Sequence, residues 1–246
     1  MKIVCYKKKK NGLYEVYLSD NRCLELYEDV ILKYELLIRS NIDDNTIESV
    51  INENRYYVFY YMALKFIKVR RRSVKEVNDK LYNTGCSSNM IFDILNKLIF
   101  QNYLNDSDYA SSFVNEQIIT TSRGPLKIKA ELLKKGVEES IIDDALLQFD
   151  KDTQKEKLHK IIGKLIKANK TRSNQALKRK IVSDLLSQGF SSSDILTVYD
   201  SFDVSSEDDI KKKEYEKLYK KLSKKYSGRE LDLKIKEKMY QKGFYN

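Results

Sequence analysis

Proline occurs once and glycine eight times in 246 residues. Few positions therefore force the chain out of regular structure, and long helices with short connections are expected. Cysteine is scarce too: Cys5, Cys23 and Cys86 stand far apart, with no CxxC pair. That argues against a disulfide framework or a structural zinc site and fits reduced thiols in a cytoplasmic protein. Histidine occurs once, at His159. Any Ser-His-Asp or Cys-His site would have to use it. It lies in Glu156-Lys157-Leu158-His159-Lys160, mid-helix among charges, where an exposed helical histidine is the simpler reading.

Other chemistry is missing as well. No GxxxxGK[ST] or GxGxxG loop is present, so no nucleotide cofactor is expected. The acidic pairs Asp106/Asp108, Asp143/Asp144 and Asp208/Asp209 fall near helix ends. There carboxylates satisfy free N–H groups and the dipole, whereas a two-metal nuclease needs several converging on one point. No apolar core follows the basic first ten residues, as a signal peptide would require. The most apolar stretch, Tyr56 to Leu64, is too short to span a bilayer. No catalytic residue, metal or cofactor is assigned, and no membrane association is expected.

What is present is charge and repetition. Net charge is +10 and charged residues make up 33%, a surplus that favours polyanionic partners. Residues 1–50 read as a β-containing extension. Ile3, Val4 and Tyr6 precede the turn signal Asn11-Gly12, the alternation Leu13 to Leu18, a second turn at Asp20-Asn21, and Cys23 to Leu26. Glu28 to Leu37 has helical period.

Beyond that, four glycines (Gly85, Gly136, Gly189 and Gly243) lie 51, 53 and 54 residues apart. Their neighbours match at fixed offsets. Eight before stand Val77, Ile128, Ile181 and Ile235; four before, Leu81, Leu132, Leu185 and Met239; three before, Tyr82, Leu133, Leu186 and Tyr240. One after come Cys86, Val137, Phe190 and Phe244. Six, ten and thirteen after, the first three copies carry Ile91/Leu95/Leu98, Ile142/Leu146/Phe149 and Ile195/Tyr199/Phe202. The offsets before each glycine lie on one face of a helix, which the glycine can end in a left-handed conformation. Those after it make the buried stripe of the next helix. Serines 87–88 and 191–193 suit its N-cap, and Ser73-Val74-Lys75-Glu76 is a capping box.

A further helix precedes each pair, at about Tyr56–Lys68, Asp108–Thr120 and Glu156–Lys167. The expected fold is mainly α: tandem three-helix repeats in an elongated, curved array behind a small N-terminal hairpin or meander. Repeats are expected at 51–105, 106–151 and 152–204, with a partial basic fourth at 205–246. The doubled tyrosines Tyr56-Tyr57 and Tyr60-Tyr61 suit a helix interface better than base stacking.

Basic residues recur in or beside each second helix: Arg70, Arg71 and Arg72; then Arg123, Lys127, Lys129, Lys134 and Lys135; then Lys178, Arg179 and Lys180; then Lys234, Lys236 and Lys238. All of these except Lys236 are taken as the candidate partner-binding set. Residues 211–246 hold 13 Lys and Arg against 5 Asp and Glu.

Three segments of the chain resemble one family. They are RRRSVKEVNDKLYNTG at 70–85, YLNDSDYASSF at 103–113 and SRGPLKIKAELLKKGV at 122–137. Their order and motifs are similar to the RecX family over roughly residues 55–203. In the first segment Arg72, Ser73 and Glu76 match, in the second Asp106, Tyr109 and Ala110, and in the third Arg123, Gly124, Lys135 and Gly136. The resemblance implies tandem three-helix repeats that bind RecA, above all the RecA–single-stranded DNA filament, along its groove; the chain itself is expected to be a monomer. It implies modulation, mostly inhibition, of ATPase and strand exchange, with direct DNA contact in some members. Two departures are Asn174-Gln175-Ala176, where a more basic segment is expected, and Cys86, in place of a larger apolar residue. A self-standing DNA- or RNA-binding helical protein is the alternative reading; a nuclease is a weaker one.

Overall fold

The computed structural model describes residues 1–9, 12–39, 41–169, 171–203 and 207–244. Twelve helices and three strands are present among them. The chain falls into two compact units: residues 1–109 with 135–137, and residues 110–134 with 138–246.

In the first unit, β1 (Ile3–Lys8), β2 (Leu13–Leu18) and β3 (Cys23–Tyr27) form an antiparallel meander in the order β1-β2-β3. This is the meander expected from the turn signals. Gly12 has φ +74°, and Asn11 lies outside the described residues. The inner face of the sheet contributes Val16, Leu18 and Leu26 to a core closed by Val30 and Ile31 of α1 (Glu28–Lys33) and by Leu36 and Ile42. Ile47 and Val50 of α2 (Asp44–Val69) complete it.

The expected limit at residue 50 falls inside α2, which runs unbroken because its two halves serve two cores. Its first turns pack on the sheet. Later, Tyr60 and Ala63 join Val77 and Leu81 of α3 (Val74–Tyr82) and Ile91, Ile94 and Leu98 of α4 (Ser88–Phe100). The doubled tyrosines sit where these cores meet. Tyr61 stacks on Tyr27 at 4.4 Å and donates to Asp29, while Tyr60 donates to Gln101 and lies under the Lys97 ammonium. They form the expected helix interface.

Helix α5 (Asp106–Thr120) begins in the first unit and continues into the second. The second unit then holds α6 (Pro125–Lys134), α7 (Glu139–Leu146), α8 (Lys151–Ala168), α9 (Asn174–Ser187), α10 (Ser192–Tyr199), α11 (Glu207–Leu222) and α12 (Gly228–Gln241). Helices α2, α5 and α8 begin earlier than apolar periodicity alone suggests. Asp43, Asn105 and Asp150 cap them from positions outside the apolar stripes.

The offsets about the glycines hold with two exceptions, three before and ten after. Positions eight before, four before and one after are buried in all four copies. The four glycines have φ between +76° and +88°, as a left-handed helix end demands. Positions three before do not pack into the core: Tyr82, Leu133, Leu186 and Tyr240 are 67%, 45%, 47% and 65% exposed. The physical reason is that the position one after the glycine folds back and fills the groove above the last turn. The residue three before, about 100° further round the helix than the buried one before it, is left facing solvent. After the glycine, position six is buried in all three copies and position thirteen in the first two; of the residues ten after, only Tyr199 is buried while Leu95 and Leu146 are half-buried, because Ile94 and Ala145, nine after, take the inner place. His159 is exposed as expected and stacks on Phe202 at 4.3 Å.

A joint between successive copies recurs three times. The start of each second helix accepts the glycine loop of the copy that follows. Ser73 Oγ donates to the Lys135 carbonyl at 2.7 Å. Gly124 N donates to the Gln188 carbonyl at 2.7 Å, with Leu126 N on the Gly189 carbonyl. Ser173 N donates to the Lys242 carbonyl at 3.1 Å. In each case the acceptor is the residue just before a glycine of the set, or that glycine itself. The fit is tight: a Cβ on Gly189 would overlap Lys127, and one on Gly243 would overlap Ala176. Gly85 ends the first copy, which no earlier copy receives, and nothing lies within 4 Å of a Cβ placed there.

Candidate binding surface

In the first unit, Arg70, Arg71 and Arg72 form the extended link between α2 and α3. They do not share one role. Arg72 stacks its guanidinium on the Phe66 ring, 3.8 Å from the centroid, and its side chain is only 14% exposed. Burial, reinforced by the charge of Arg70, lowers its pKa. Arg70 and Lys135 both donate to Glu76 Oε1, each at 2.8 Å. Burial alone would raise the pKa of Glu76; hydrogen bonds from Arg70, Lys135 and the Ser73 backbone outweigh it and hold the carboxyl at about 2. Glu76 also closes the capping box with Ser73. A carboxylate whose sequence reading gives it a capping role and a place in the family motif is therefore also the centre of a cation cluster that fastens the first joint.

Asp106 adds to it from α5: its carboxylate accepts from Val74 N at 2.9 Å, and burial raises its pKa. Asp106 thus caps a helix other than its own. Arg71 points outward. It lines a cleft of about 240 Å³ with Tyr103, Asn105 and Asp108 and donates to the Asp108 carbonyl at 3.4 Å.

In the second unit, Arg123 is held inside the fold by Glu131 at 2.9 Å and Gln117 at 2.7 Å. Lys127 packs on Gly189 in the joint and reaches Gln188 Oε1 at 3.3 Å. The rest of the set is more open. Lys129 lies between Glu139 and Asp143, each at 2.7 Å. Lys134, at the end of α6, is exposed. Lys178 meets Asp200 at 2.7 Å, Lys180 meets Asp184 at 3.1 Å, and Arg179 between them is exposed with no ion pair among the described residues. Lys234 meets Glu237 at 3.0 Å and Lys238 meets Gln241 at 3.1 Å.

Exposed pairs of this kind contribute about 0–1 kcal/mol, so an anionic partner can displace their carboxylates cheaply. The cluster at Glu76 opens less easily, because one half-buried carboxylate, 17% exposed, is shared by two cations and a helix cap at once. The candidate cations thus divide into those that fasten the fold (Arg70, Arg72, Arg123, Lys127 and Lys135) and those on its surface.

One charged group gives no sign of itself in the sequence. Lys157 of α8 is 9% exposed and donates to the Gln117 carbonyl at 2.9 Å. It lies over the Phe149 ring and has no carboxylate partner among the described residues. Burial lowers its pKa to about 8. Among the described residues, no group of three or more His, Cys, Asp or Glu is placed to hold a metal ion, and no helix is long and apolar enough to cross a membrane.

Residues 105–146 match the family model described as RecX, second three-helix domain. The "Regulatory protein RecX" of Oceanobacillus iheyensis is 31% identical over 252 residues, covering 99% of this chain and 92% of that protein. Its namesake from Streptococcus gordonii is 30% identical over 249 residues, with 99% and 95% covered. A solved structure titled "Crystal structure of regulatory protein RecX" matches with TM-score 0.69 and 28% identity, over 81% of this chain and 99% of that one. RecX from Lactobacillus salivarius matches with TM-score 0.57 and 34% identity, over 60% of this chain and 97% of that one.

Proposed function

Because the chain belongs to the RecX regulatory protein family, we propose that it binds RecA and RecA–single-stranded DNA filaments in the cytoplasm. It acts as a monomer, lies in the filament groove, and restrains ATPase and strand exchange by occupying that groove. No chemical step is assigned to it.

One observation supports this above the others. The second helices of successive copies are held by one recurring joint, and each copy carries cations beside it. In the second unit these include Lys129, Arg179 and Lys234. A partner that presents acidic groups at regular intervals, as successive subunits of a filament do, meets the same chemistry at each copy. Individually weak contacts on one scaffold then add to firm binding. In this reading the surface cations make the contacts, and Arg70, Arg72, Arg123, Lys127 and Lys135 act indirectly by fixing the fold and its joints. Direct DNA binding is weak.

Co-sedimentation with RecA filaments and with naked single-stranded DNA, at about 0.15 M salt where long-range surface charge is screened, tests the reading. The expected result is retention on filaments and little on DNA. Equal binding to DNA with and without RecA would replace it with a self-standing nucleic-acid-binding protein.

A further inference from the structure

The residues three before each glycine have a feature that core packing does not explain. An isolated exposed leucine or tyrosine on a protein surface is ordinary. Four at the same position of four copies, each 45% exposed or more, are not, because each copy buries the residue just before it and leaves this one facing outward. The same outer line of each helix, at i, i+3 and i+7, carries a cation: Lys75 before Tyr82, Lys129 before Leu133, Arg179 before Leu186 and Lys236 before Tyr240. In α6 and α12 the line opens with a second exposed apolar residue, Leu126 at 62% and Leu233 at 60%. Within the second unit, the joints at Gly124–Gln188 and Ser173–Lys242 hold α6, α9 and α12 in equivalent fashion. Leu133, Leu186 and Tyr240 therefore recur in the same relation to their own copies.

We propose that Leu133, Leu186 and Tyr240 are the apolar contacts of a repeated docking surface for protein on the second unit. Its occupant bears shallow apolar depressions rimmed by carboxylates and spaced at regular intervals; on the function proposed above, on which this rests, these lie on successive RecA subunits. Charge complementarity selects the acidic rim, since α6 and α12 set a cation one turn from the apolar residue (Lys129, Lys236) and α9 sets one two turns away on the same line (Arg179). The aliphatic side chains select protein over nucleic acid, because leucine offers no ring on which a base can stack.

The test uses the full chain with Leu133→Ser and Leu186→Ser together. Both side chains are exposed, and circular dichroism checks that helicity is kept. Leu147→Ser, at a residue 75% exposed but outside the outer line, is the control. Each lost contact is expected to weaken filament binding by on the order of ten-fold. The double variant then binds RecA–DNA filaments roughly a hundred-fold more weakly, with naked-DNA binding unchanged and the control like wild type. Wild-type affinity in the double variant, or equal losses on filament and naked DNA, overturns the proposal while the wild type still binds RecA. Absence of filament binding by the wild type itself overturns the function proposed above and takes this partner with it.

Discussion

Glu76→Gln isolates the charge of one atom group while keeping its shape and its bond to the Ser73 backbone. The carboxyl is held at about 2, against an ordinary glutamate value of about 4.3. By linkage, a lowered folded-state pKa stabilises the fold above the unfolded value, and that stability is lost as pH falls through the folded value. The difference of a little over two pK units corresponds to roughly 3 kcal/mol at neutral pH. Arg70 and Lys135 are 48% and 34% exposed, so water re-solvates them when Glu76 is neutralised, which puts the cost at the low end of that for breaking a buried pair. Near pH 2 the advantage falls to under about 0.5 kcal/mol, because the wild-type carboxyl is then half protonated. The assay is urea unfolding followed by tyrosine near-ultraviolet dichroism. The chain has no tryptophan, and the packed tyrosines Tyr27, Tyr56, Tyr57, Tyr60 and Tyr61 all lie in the first unit. A deficit of the variant at pH 7 that shrinks toward pH 2 supports the cluster. A deficit independent of pH, or none at pH 7, refutes the reasoning.

Lys157→Met should stabilise the second unit at pH 7 by about 1–2 kcal/mol. The charged lysine is disfavoured by burial, and the lost carbonyl bond and ring contact return part of the gain. Since its folded-state pKa is lowered to about 8, the wild type catches up as pH rises from about 8 toward the ordinary lysine value near 10.4, and thermal melts at pH 7 and pH 10 measure the closing gap. Gly189→Ala should cost clearly more than Gly85→Ala, by at least about 2 kcal/mol. Both pay about 1–2 kcal/mol for a left-handed residue, but only Gly189 would drive a Cβ into the Lys127 backbone; equal chemical-denaturation midpoints would remove the joint from the account. Arg179→Glu should weaken filament binding without changing the melting temperature, because the arginine has no ion pair among the described residues; an unchanged affinity takes it out of the contact set.

Much of the fold was legible because the physics that specifies it is local. A glycine that must adopt positive φ, and apolar residues at helical spacing before and after it, mark each helix pair at Gly85, Gly136, Gly189 and Gly243. The capping box at Ser73 and Glu76 was legible for the same reason. The joint was not. Gly124 stands in the sequence as part of a tight entry to a helix, and nothing near it names Gln188 as its partner 64 residues on. The exposure of Tyr82, Leu133, Leu186 and Tyr240 was hidden because periodicity locates an apolar stripe but not its edge. The division of the basic residues into fasteners and surface cations depends on where Glu76, Glu131 and Phe66 lie in space, and charge counting treats Arg72 and Arg179 alike. Lys157 gives no local signal; only the packing of α8 buries it.

The most direct test of the central claim, a repeat-built protein that restrains RecA by occupying its filament, is the steady-state ATPase of RecA on single-stranded DNA, titrated with this protein. The account predicts inhibition that saturates as the filament is covered, is lost progressively with salt, and is weakened in the Arg179→Glu protein. Unchanged ATPase at concentrations that coat the filament would contradict it.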